Sequence, residues 1–125
     1  SNTLAPAVAG GSLKAIELIS ASTALRDKLE ANTLRFRSQM QALGFTVLGG
    51  GHPISPVLLG DAMLAQNFSR ALLEEGILAV GFFYPVVPHG KARIRTQISA
   101  VHEPHHIDAA VQAFAKAGRQ LGVIA

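Results

Sequence analysis

At 125 residues and 13.1 kDa the chain has the length of one ordinary domain, able to bury roughly 65–70% of its unfolded surface without staples. With 49% hydrophobic and 15% charged residues it is not a disordered segment, and without Cys it has no disulfide framework, thiol nucleophile or thiolate metal site. The net charge of +3 is mild, the Lys and Arg are dispersed, and one Tyr and six Phe offer little stacking, which argues against nucleic acid.

The first part of the chain reads as helix. Leu13, Ile16 and Ile19, then Leu25, Leu29, Phe36, Met40 and Leu43, recur at spacings close to one helical stripe. Asp27, Lys28, Glu30, Arg35 and Arg37 fall on other faces. Pro6 suits a first helical turn, where its missing N–H costs nothing. Residues 20–23 break the pattern, with Ser22 or Thr23 capping the continuation, and Gly44 is a stop signal.

The period then changes. Residues 45–47 are short and β-rich, Gly49, Gly50, Gly51, His52 and Pro53 make a turn, and residues 54–59 read as a strand whose Pro56 argues for an edge or a bulge. Asp61 is a good N-cap for a helix carrying Leu64, Phe68 and Leu72 to Gly76. Residues 77–83 form an apolar strand, a Pro-rich loop follows, and residues 93–99 form another strand. Pro104 opens a last helix with Ile107, Ala110, Val111, Phe114 and Leu121 on one face. The expected fold class is α+β: a small, mostly antiparallel sheet with helices packed on one face, preceded by a long helical segment. Residues 1–44 are that segment and residues 45–125 the small α/β unit.

No apolar run approaches the roughly 18 residues that span a bilayer, and no charged-then-apolar leader opens the chain. A cytoplasmic protein with no membrane partner is expected. A mean hydropathy of +0.31 with so little charge leaves too little polar surface for a well-solvated monomer. An apolar partner surface, and a piece of something larger, are expected.

Chemistry concentrates in Arg93, Arg95, Gln97 and Ser99. In a strand these alternate residues share one face, and Ile94 and Ile98 the other. Two guanidiniums on an apolar-backed strand suit a bidentate grip on a carboxylate or phosphate. The same pattern also suits a solvated strand face with surface arginines. The stiff sequence from Phe82 to Pro85, with Pro88, His89 and Gly90, reads as the rim of a pocket beside it. His102, His105 and His106 include one pair at zinc-like spacing, but Pro104 interrupts the helix that a metal pair would need. They read better as residues at a helix start, and Gly49–Gly51 as a turn rather than a phosphate cradle. No Ser has the glycine flanks of a nucleophile elbow.

Several segments together resemble a known family: residues 1–6, 56–61, 81–88 and 92–97, with a likeness that continues through residues 118–123. They are similar to the glycine C-acetyltransferases, pyridoxal-phosphate-dependent enzymes of the α-oxoamine synthase family, over the C-terminal portion that follows the large cofactor-binding domain. The resemblance implies a homodimer that joins glycine to acetyl-CoA, giving 2-amino-3-ketobutyrate and CoA. It implies that Arg95 binds the glycine carboxylate and that Ser1 and Asn2 reach the cofactor phosphate from the neighbouring subunit. It assigns no catalytic residue here, since none of Lys14, Lys28, Lys91 or Lys116 lies in a matching lysine motif, so this chain alone is expected to be inactive. A sister synthase using a longer acyl-CoA fits the same motifs. A different class, a stand-alone amino-acid-sensing or protein-interaction module, fits the small sheet and its anion-binding strand. Where the family more often has threonine and glutamine before the last helix, this chain has Glu103 and His106, and a frayed helix start is expected.

Overall fold

The computed structural model describes residues 3–125. Helix α1 (Pro6–Ala21) begins with proline in its first turn, and α2 (Ala24–Ala42) follows after the expected break. At that break the Ser22 hydroxyl accepts the Ala24 N–H, while the Thr23 hydroxyl donates to Asp27. Beyond α2, Gly44 takes a left-handed φ of 95°, the conformation that favours glycine after a helix.

Three antiparallel strands make the sheet, in the order β1 (Ile54–Gly60), β3 (Ala92–Gln97), β2 (Val80–Phe82). Helix α3 (Ala62–Glu74) starts at Asp61, whose carboxylate accepts the Leu64 N–H at 2.8 Å. Helix α4 (Pro104–Gln120) closes the chain. The α+β class and its one-sided helical cover are as expected.

Two strands are shorter than the sequence suggests. Residues 45–47 contribute only a bridge between Val47 and Val57, on the edge where Pro56 sits. Ahead of β2, the Ile77 N–H turns back to the Leu72 carbonyl and Ser69 takes the Ala79 carbonyl, so pairing with β3 begins only at Val80.

The sheet has two unlike faces. Ser55, Val57, Ile94, Thr96 and Ile98 are buried against the helices, where Phe36, Phe45, Phe68 and Phe114 meet edge-on or tilted with centroids 5.5–6.1 Å apart. Phe36 and Met40 of α2 belong to this core, ahead of residue 45. Helix α1 contributes nothing to it: Leu13, Ile16, Leu18 and Ile19 are all exposed. The stripe that ran through both helices therefore ends in two environments.

The start of α4 is fastened, which corrects the expectation of fraying. His106 Nδ1 accepts the Glu103 N–H at 3.0 Å, one half of a reciprocal capping box, so imidazole serves where glutamine would. Asn32 of α2 adds a strap by donating to the carbonyls of Ser99 and His102. Arg35 clasps Asp108 through Nε and Nη2 at 2.8 and 2.7 Å. Among the described residues no helix is long and apolar enough to cross a membrane.

Candidate functional site

The face of the sheet turned away from the helices is built by β3 and the register of its neighbours. Arg95 lies between Pro56 and Val80, and Arg93 between Leu58 and Phe82. Gln97 lies opposite Ile54. Two cations thus stand on a surface otherwise framed by apolar side chains, with no carboxylate among these paired positions.

The two arginines differ. Arg93 is half-buried, and its Nε donates to the Lys91 carbonyl at 2.9 Å. Arg95 is exposed and, among the described residues, makes neither a hydrogen bond nor an ion pair. Its Cζ lies 5.5 Å from the centre of the Phe82 ring. A guanidinium with all five N–H donors free can take both oxygens of a carboxylate at once.

The proline-rich loop does not close over Arg95 as a rim. Tyr84 stacks on His89 at 3.9 Å, and the loop shapes a cleft of about 300 Å³ with Gly60, Asp61 and Ala92, at the far end of β3. Phe82, at the start of that sequence, is the ring that faces Arg95. A cavity of about 480 Å³ lies on the helical side, between Phe36, Ile77, Ile107 and Phe114.

The remaining candidates have local duties. His102 Nδ1 accepts the Ser99 N–H at 3.2 Å, and His106 caps α4, so two of the three rings serve the backbone. At the glycine turn it is the Gly49 carbonyl that is engaged, by Arg37, which is buried inside the fold although it falls off the apolar stripe. Lys14, Lys28 and Lys116 pair with Glu17, Glu103 and Glu75. Ser1 and Asn2 lie outside the described residues. Nothing local in the sequence reveals who faces Arg37 and Phe82.

The family model for aminotransferase class I and II matches residues 1–114. The chain belongs to this family. Among curated members, it is 58% identical over 125 residues to the 2-amino-3-ketobutyrate coenzyme A ligase of Escherichia coli K12, which covers 100% of this chain and 31% of the relative. A Thermus thermophilus protein named 8-amino-7-oxononanoate synthase/2-amino-3-ketobutyrate coenzyme A ligase is 46% identical over 119 residues, covering 95% of this chain and 30% of the relative. A solved serine palmitoyltransferase from S. paucimobilis, with a bound PLP–myriocin aldimine, superposes with a TM-score of 0.86 at 28% identity, covering 99% of this chain and 32% of that one. The chain therefore spans under a third of the length of these relatives.

Proposed function

We propose that this chain is the C-terminal part of a pyridoxal-phosphate-dependent acyltransferase that condenses glycine with acetyl-CoA, giving 2-amino-3-ketobutyrate and CoA. The identity to the E. coli ligase supports the reaction, and one observation supports the role of this segment in it. Arg95 presents an unengaged guanidinium on a bare sheet face, as a grip for the glycine carboxylate requires.

The described residues do not by themselves fit the cofactor. Arg95 supplies a carboxylate grip, but three of the four lysines are already paired with carboxylates. Pyridoxal phosphate, when bound, acts as an electron sink for a carbon acid. In this reading the rest of the longer protein provides its lysine and ring contacts, with Ser1 and Asn2 serving its phosphate from the neighbouring subunit. The segment up to residue 44 joins the small unit 45–125 to that remainder and to the homodimer partner, and the bare flank of α1 is the part that packs there. The chain alone is inactive in this reading. Arg95 binds and orients one end of glycine, so that the hydrogen to be removed always points the same way.

The test is Arg95→Ala in the full-length protein. Losing a charge-assisted grip in a closed site costs a few kcal/mol, so glycine KM should rise by roughly two orders of magnitude while acetyl-CoA KM changes little. Unchanged glycine KM and kcat overturn the assignment. The double name of the T. thermophilus relative supports a second reading, a synthase using a longer acyl-CoA. Comparing a short and a long acyl-CoA in the same assay separates the two.

A further inference from the structure

Arg95 has a long, rotatable side chain and, among the described residues, no hydrogen bond or ion pair to hold it. A freely moving guanidinium loses rotamer freedom whenever it binds, and that loss weakens binding. One contact counters it, the Phe82 ring 5.5 Å away.

The register makes this contact a built feature. Val80 stands directly opposite Arg95 and Phe82 opposite Arg93, so Phe82 is the diagonal neighbour of Arg95 on the same sheet face. Diagonal pairs of this kind lie within reach of aromatic and long side chains. The directly opposed neighbours, Val80 and Pro56, have no aromatic face or charge with which to orient a cation. Phe82 itself is anchored: a Cβ on the adjoining Gly81 would meet the Ala65 carbonyl oxygen at 3.1 Å, so β2 lies hard against α3.

The chemistry suits the task. A carboxylate neighbour would hold Arg95 more tightly but would compete with the substrate for its donors. An aromatic face attracts the guanidinium through the ring quadrupole and consumes none of its N–H groups. We propose that Phe82 is a positioning residue for Arg95, holding the guanidinium in place before the substrate carboxylate arrives. The inference rests on the carboxylate-binding reading of Arg95 given above.

Two variants test it, Phe82→Leu, which keeps apolar bulk without a ring face, and Phe82→Tyr, which keeps the ring. In the full-length protein Phe82→Leu should raise glycine KM about fivefold, the scale of an exposed cation–π contact, with kcat and acetyl-CoA KM within about twofold. Phe82→Tyr should restore glycine KM, and in an Arg95→Ala background Phe82→Leu should add nothing. A second readout needs no catalysis: 15N relaxation of Arg95 Nε in the 125-residue chain, with an order parameter that falls in Phe82→Leu and recovers in Phe82→Tyr. If Arg95→Ala raises glycine KM but Phe82→Leu moves neither KM nor the Nε order parameter, the positioning role is overturned and the carboxylate reading stands. If Arg95→Ala leaves glycine KM unchanged, the carboxylate reading falls and this role falls with it.

Discussion

Arg37 of α2 donates from Nη1 to the Ser55 hydroxyl of β1 across 3.2 Å, inside the fold. The same guanidinium donates to the carbonyls of Val47, Leu48 and Gly49, so one buried cation ties the segment after α2 to the helix. Ser55 is fully buried and Arg37 is 9% exposed. Arg37→Met keeps the stem and removes the donors, leaving buried carbonyls unpaired at a cost of about 2–4 kcal/mol. Urea unfolding should show a lower midpoint with an unchanged m-value. A midpoint equal to that of the wild type would show that water replaces the guanidinium without penalty.

That contact also marks where reading the sequence stops. Arg37 follows Phe36, and a charge at that position reads as solvent-facing. Its partners are carbonyls in a turn, and carbonyls carry no sequence signal. The features that could be read were local: the Asp61 cap, Pro6 and Pro104 in first helical turns, and the alternation that exposes Arg95 and buries Ile94. The cap of α4 is hidden in the sequence because imidazole nitrogen can accept a backbone N–H as glutamine oxygen does. The likeness to a family pointed to Arg95. Its contact with Phe82 depends on the register of β2 against β3, which the three residues of β2 do not fix in advance.

Asp108 links α4 to α2 and gives the fold a pH dependence of known sign. Side-chain hydrogen bonds from Arg35, then from Gln39, hold its carboxyl at about 2, below the ordinary 3.8. The unfolded chain therefore takes up this proton more readily than the folded one. The stability contributed by the pair is complete above pH 3.8 and is lost as pH falls from there to about 2. Thermal midpoints of the wild type and Asp108→Asn should differ at pH 5 and converge across that window. A constant difference down to pH 2 would contradict the linkage.

Glycine to alanine should have opposite signs at the two ends of the chain. In α4, a Cβ on Gly118 would lie 2.6 Å from Phe45 Cζ and 3.0 Å from Ile124. The Phe45 ring is held by Phe68 and Phe114, so it cannot step aside without disturbing the core. Overpacking of about 1–3 kcal/mol then outweighs the helical gain of about 1 kcal/mol, and Gly118→Ala should lower the unfolding midpoint. In α1, a Cβ on Gly11 meets nothing within 4 Å, so Gly11→Ala should raise helicity by circular dichroism and leave the core unchanged. A Gly118→Ala protein as stable as the wild type would mean that the Phe45 ring can move freely.

Helix α1 should be dispensable to the fold and responsible for its association. None of its residues is buried, and Leu13 and Ile19 are 70% and 74% exposed. Helices in proteins take most of their stability from packing, and among the described residues α1 buries no side chain that would supply it. A chain beginning at Ser22 keeps the hydroxyl that accepts the Ala24 N–H, and should unfold at the same midpoint as the full chain. In water the exposed stripe gains roughly 25 cal/mol for each Å² that a second copy covers. Sedimentation should therefore show the 125-residue chain associating as its concentration rises, and the shortened chain remaining monomeric. Replacing Ile16 and Ile19 by Glu should have the same effect as the deletion, since two charges on one face repel a second copy. A strictly monomeric full chain at high concentration would mean that α1 covers its own stripe, and a large loss of stability on deletion would mean that α1 rests on the core.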